Sequence, residues 1–60
     1  MNLYPSESEA VAAAVNESRN NDGDRRYAVL WPPGHWTVET RKPLLAKKCL
    51  LAVDGRLEHA

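Results

Sequence analysis

Between Arg25 and Arg41 the chain reads RRYAVLWPPGHWTVETR, two β-prone runs on either side of Pro-Pro-Gly-His. Aromatic and β-branched residues at every second position suit a strand with one buried face, and proline followed by glycine suits a tight turn. With Pro33 and Gly34 as the central residues of that turn, the register predicts Trp31 facing Trp36, Val29 facing Val38 and Tyr27 facing Thr40 on one buried face. Arg26, Ala28 and Leu30 would then share the other face with Thr37, Glu39 and Arg41, a mixed surface able to meet water.

The segments on either side must cover the apolar face of this hairpin. Ser6-Glu7-Ser8-Glu9 matches a capping box, with Ser6 as N-cap and Glu9 three residues on. A helix follows, favoured by alanines at 10, 12, 13 and 14, and Val11, Ala14, Val15 and Ser18 form its inward stripe. Asn20-Asn21-Asp22-Gly23 closes it, since asparagine and glycine tolerate the left-handed conformation. From Pro43 to Ala60 the run LLAKKCLLAV fits two periods. As a helix it places Leu45, Ala46, Cys49, Leu50 and Val53 on one arc, with Pro43 in the first turn and Gly55 as the stop. As strands, Lys48 to Val53 would turn at Asp54-Gly55 and return through Arg56-Leu57-Glu58. The helical reading is preferred. Residues 1–60 are thus expected to form a single small α+β domain of order α-β-β-α, with a helix followed by a three- or four-stranded antiparallel meander as the alternative.

Size then limits function. A chain of 60 residues buries only about 60% of the surface its unfolded form exposes. A substrate cavity of ~300 Å³ or more would take up most of such a core, so an enzyme is not expected. The single cysteine excludes an intrachain disulfide, and Cys49, His35 and His59 do not form a zinc-ligand framework. Asp22 and Asp24 lack the ligand spacing of a calcium loop, and no cofactor or metal is expected. Cys49 lies in a leucine-rich run, where a free thiol packs as a small apolar residue. The sequence has no apolar stretch of the ~18 residues a bilayer span needs and no leader pattern at its start, which points to a cytoplasmic protein.

Net charge is zero, but it is unevenly spread: residues 1–24 carry four net negative charges and residues 25–60 four net positive ones. The two halves can attract each other on folding, or steer an oriented approach to a charged partner. Arg25, Arg26, Arg41, Lys42, Lys47 and Lys48 are the candidate phosphate contacts of a small nucleic-acid-binding regulator, with Tyr27, Trp31 and Trp36 as rings that could stack on bases. The favoured expectation is protein recognition, because aromatic residues beside a rigid, exposed turn are what interfaces use. Its candidate residues are Trp31, Pro33, His35 and Trp36 around the turn, with Leu44 and Leu51 framed by Lys47 and Lys48. The function expected is that of a non-enzymatic accessory protein that inhibits or adapts a larger protein, of the kind phages and mobile elements encode, with self-association through an unpaired strand edge as a further option.

Leu30-Trp31-Pro32-Pro33, Trp36 and Cys49-Leu50 resemble a clipped form of the LWP, PxGW and CL elements of the MbtH-like accessory proteins of peptide synthetases. The spacer between the first two elements is missing, Gly34 and His35 stand in the opposite order, and no WTD element follows. The resemblance would imply the same class of function, a small non-enzymatic protein bound to a larger one, and no family assignment is based on it.

Overall fold

The computed structural model describes residues 3–20 and 24–58. The elements are α1 (Glu7–Asn20), β1 (Arg26–Trp31), β2 (His35–Glu39), β3 (Lys48–Val53) and β4 (Arg56–Glu58). The strands form one antiparallel sheet in the order β2-β1-β3-β4, and α1 packs across one face of it. This is an α+β fold.

The helix begins at the predicted cap. Ser6 Oγ accepts the Glu9 N–H at 3.4 Å and the Ser6 carbonyl accepts the Ala10 N–H at 3.1 Å, which satisfies donors that a helix start leaves open. Ala10, Ala14 and Ser18 are fully buried, so the predicted stripe gains Ala10, one turn before Ala14. Asn20 is the last helical residue, and most of the expected closing segment, 21–23, lies outside the described residues. The centre of the core is made of alanines, Ala10 and Ala14 from the helix with Ala28 and Ala52 from the sheet. Small side chains on both layers let them approach closely, and Trp36, Tyr4, Leu30 and Leu50 pack around that centre.

Two expectations are corrected. The first is the hairpin register: Trp31 pairs with His35, Leu30 with Trp36, Val29 with Thr37, Ala28 with Val38 and Tyr27 with Glu39. Pro32 has no N–H and cannot close a hydrogen-bonded pair with His35, so the pairing retreats to Trp31 and leaves a three-residue loop, Pro32-Pro33-Gly34. A one-residue slip turns one strand over relative to the other. Trp36 and Val38 therefore face the helix together with Ala28 and Leu30, while Tyr27, Val29 and Trp31 lie on the opposite face with Thr37 and Glu39. The loop peptide between Pro32 and Pro33 is cis.

The second correction removes the C-terminal helix. Residues 48–58 are the hairpin β3-β4, with Val53 pairing Arg56 around Asp54 and Gly55. Both turn residues have positive φ, 52° and 78°, as a two-residue turn between right-twisted strands requires. The strand period wins because β1 would otherwise leave one edge unpaired under the helix, and β3 fills that edge, pairing Arg26 with Ala52 through to Leu30 with Lys48. Cys49 consequently faces away from α1 rather than into a helical arc. Because β1 separates β2 from β3, the sheet is not a simple meander.

Residues 40–47 join the Glu39 end of β2 to the far end of β3 and so must cross β1. They cross on the face opposite α1. Val29 and Thr37, which point to that face, are fully buried, and the Lys47 N–H reaches the Leu30 carbonyl at 2.7 Å where the crossover ends.

Candidate protein-binding face

The face opposite α1 is built in rows set by the register. Glu39, Tyr27, Leu51 and Glu58 form one row across all four strands. Thr37, Val29 and Cys49 form the next, and His35 with Trp31 the one beyond it. Trp31 Nε1 donates to Thr37 Oγ1 at 2.7 Å, and Thr37 Oγ1 donates to Glu39 Oε2 at 2.7 Å. The buried Thr37 hydroxyl is thereby satisfied as both acceptor and donor, and the Trp31 ring is fixed against the sheet.

The crossover covers the β1-β2 side of this face and leaves the β3 side open as a groove of about 640 Å³, with Tyr27, Cys49, Leu51 and Val53 as its apolar surface and Arg25, Lys42 and Glu58 among its lining residues. This volume exceeds the ~300 Å³ expected to be beyond so short a chain, because the groove lies on the sheet surface and takes nothing from the core. Leu44 and Leu45, in the crossover, are 98% and 84% exposed. Two adjacent leucines held in water, on the connection whose Lys42 lines a mostly apolar groove, leave this side of the protein with unusual exposed apolar surface. Burial pushes the Cys49 thiol above its ordinary pKa, and the nearby Lys42 ammonium pulls it partly back. A raised pKa leaves less thiolate near neutrality than an ordinary thiol has.

The structure separates the residues expected to bind a partner. Trp31, His35 and Leu51 share the outer face, Leu44 projects from the crossover, and Pro33 is exposed in the hairpin loop. Trp36 is 8% exposed and belongs to the core. Leu44 and Leu51 are not neighbours on one helical face, as the helical reading had them. Leu45, Tyr27 and Val53 were not among the expected contacts. The helical reading turned Leu45 inward and the slipped register turned Tyr27 toward α1. The signal that places Leu45 is Asp54-Gly55, since a hairpin there makes 40–47 a connection and leaves its leucines without a core to enter.

The six basic residues are also divided. Arg26 lies on the α1 side, with Nε 3.4 Å from Glu17 Oε1, and Lys48 Nζ contacts Glu7 Oε1 at 2.7 Å. Arg25 and Lys42 line the groove, Arg41 is exposed where the crossover leaves β2, and Lys47 stands at its other end. His59 lies outside the described residues. Among the described residues no group of three or more His, Cys, Asp or Glu could hold a metal ion, and no helix is long and apolar enough to cross a membrane. No protein-family model matches the chain, and no curated protein or solved structure matches it either.

Proposed function

We propose that this chain is a non-enzymatic accessory protein that binds a larger protein through the face opposite α1. The observation that carries the reading is the exposure of Leu44 and Leu45, 98% and 84%, beside a groove lined by Tyr27, Leu51 and Val53. Exposed leucines on the crossover and apolar side chains flanked by charged ones in the groove are the composition of an interface centre and its rim. The protein inhibits or adapts its partner by occupying that partner's surface.

The nucleic-acid alternative draws on fewer residues than the sequence suggested, because Arg26 and Lys48 are engaged with Glu17 and Glu7. A photoreactive residue at position 44, compared with one at the exposed Ala12 on the back of α1, tests the proposal in cells producing the protein. A discrete protein adduct is expected from position 44 and not from position 12. Equal labelling from both positions would overturn the assignment of the face. Salt-sensitive oligonucleotide binding that is lost on Arg25→Glu or Lys42→Glu would replace it with the nucleic-acid reading.

A further inference from the structure

The two edges of the sheet are treated differently. The Tyr4 N–H donates to the Trp36 carbonyl at 2.9 Å, so the lead-in to α1 closes part of the outer edge of β2. The outer edge of β4 has no strand beside it among the described residues. We propose that this edge pairs with the same edge of a second copy of the chain, antiparallel about Leu57, to make one continuous eight-stranded sheet from two four-stranded ones.

The register of β4 supplies the argument. The two-residue turn makes Val53 and Arg56 a hydrogen-bonded pair, and the alternation along an antiparallel ladder then turns the backbone groups of Arg56 and Glu58 toward β3. The N–H and carbonyl of Leu57 are left pointing to the free edge. A two-fold axis at Leu57 lets each Leu57 N–H donate to the Leu57 carbonyl of the other copy.

The same axis sets Arg56 of each copy opposite Glu58 of the other. Inside the chain these charges have no cross-strand partner, since Arg56 pairs with Val53 and Glu58 with Leu51. Neither belongs to an ion pair among the described residues. Arg-Leu-Glu is self-complementary in this register alone. A shift by two residues in either direction sets Arg56 against Arg56 or Glu58 against Glu58, and a parallel pairing sets like against like at both positions. A short, charged edge commonly guards against pairing; here the order of the charges selects one pairing. The Leu57 side chains of the two copies meet on the α1 side, and the row of Tyr27, Leu51 and Glu58 continues into Arg56 and Val53 of the second copy. The interface is small and the association correspondingly weak. The β4 edge lies apart from the crossover, but Glu58 also lines the groove, so the pairing meets the outer face at its β4 margin.

Sedimentation equilibrium across micromolar to millimolar chain tests the pairing. The wild-type average mass is expected to rise from 6.7 kDa toward twice that value. Arg56→Glu and Glu58→Arg each abolish the rise, an equimolar mixture of the two restores it as a heterodimer, and the doubly exchanged chain dimerises like wild type. The double exchange keeps the test decisive even if one single variant folds poorly. Wild type monomeric throughout, single variants that still dimerise, or a monomeric double exchange would each overturn the proposal.

Discussion

Ser18 ties the helix to the β3-β4 turn through one hydroxyl. Its Oγ donates to the Val15 carbonyl at 2.8 Å and accepts the Gly55 N–H at 2.9 Å, with the residue fully buried. Ser18→Ala leaves the Gly55 N–H without its acceptor and is expected to lower stability by about 1–3 kcal/mol, read as a lower urea midpoint at unchanged slope. Gly55→Ala acts on the same contact. At φ 78° an added Cβ would sit 3.2 Å from Arg19 Cβ, and the left-handed backbone alone costs about 1–2 kcal/mol. Because both changes release one junction, the double variant should lose less than the sum of the singles; full additivity would mean that the junction is not shared. Cys49 gives a pH prediction at the same scale. Its folded pKa is raised, first by burial and against the pull of Lys42, so its contribution to stability is fully present below the unfolded thiol pKa. That contribution is lost as pH rises through the folded value. The pH midpoint for thiol alkylation should lie above that of a cysteine peptide and move higher in Lys42→Ala. A midpoint at or below the peptide's would contradict the burial.

Each strand's exposure follows from a single choice of register, and the two tryptophans report it. Trp36 faces α1 in the core, while Trp31 is half-exposed on the outer face with its Nε1 on Thr37. In single-tryptophan variants, Trp31→Phe should leave an emission resistant to acrylamide, and Trp36→Phe one that is readily quenched. Similar quenching in both would restore the register that pairs the two rings. The capped helix and the hairpin were legible because Ser6, Glu9 and the alternation of β1 and β2 are local signals. The register was not, because it depends on whether Pro32 can join a ladder, and the pattern of hydrophobic residues fits either face. Cys49, Leu50 and Val53 fit both a helix and a strand, and the choice depends on a distant need, the second edge of β1. The candidate site inherits that ambiguity: Trp31, Pro33, His35 and Trp36 are suggested by a turn and Leu44 and Leu51 by flanking lysines, whereas Trp36 joins the core and the groove exists only once β3 lies beside β1.

At the scale of the molecule, the acidic and basic halves close on each other. Glu17 meets Arg26 and Glu7 meets Lys48 across the helix-sheet boundary, so part of the sequence polarity is spent in orienting α1. What the fold leaves unused lies on the opposite side, where the crossover buries Val29 and Thr37 beneath it and exposes its own leucines. Residues chosen only to cover the sheet would gain nothing from pointing Leu44 and Leu45 into water, since apolar surface contributes to stability only when it is removed from water. Replacing both with glutamate therefore removes no buried area, and the unfolding free energy should change by less than about 0.5 kcal/mol. The same variant should dimerise through β4 as wild type does, yet lose the protein adduct formed at the crossover, here followed from a photoreactive residue at Leu51. A large loss of stability would show that these leucines are packed in the free protein. A loss of self-association would move the contact between copies from the β4 edge to the crossover, and thus make a second copy of the chain the occupant of this face.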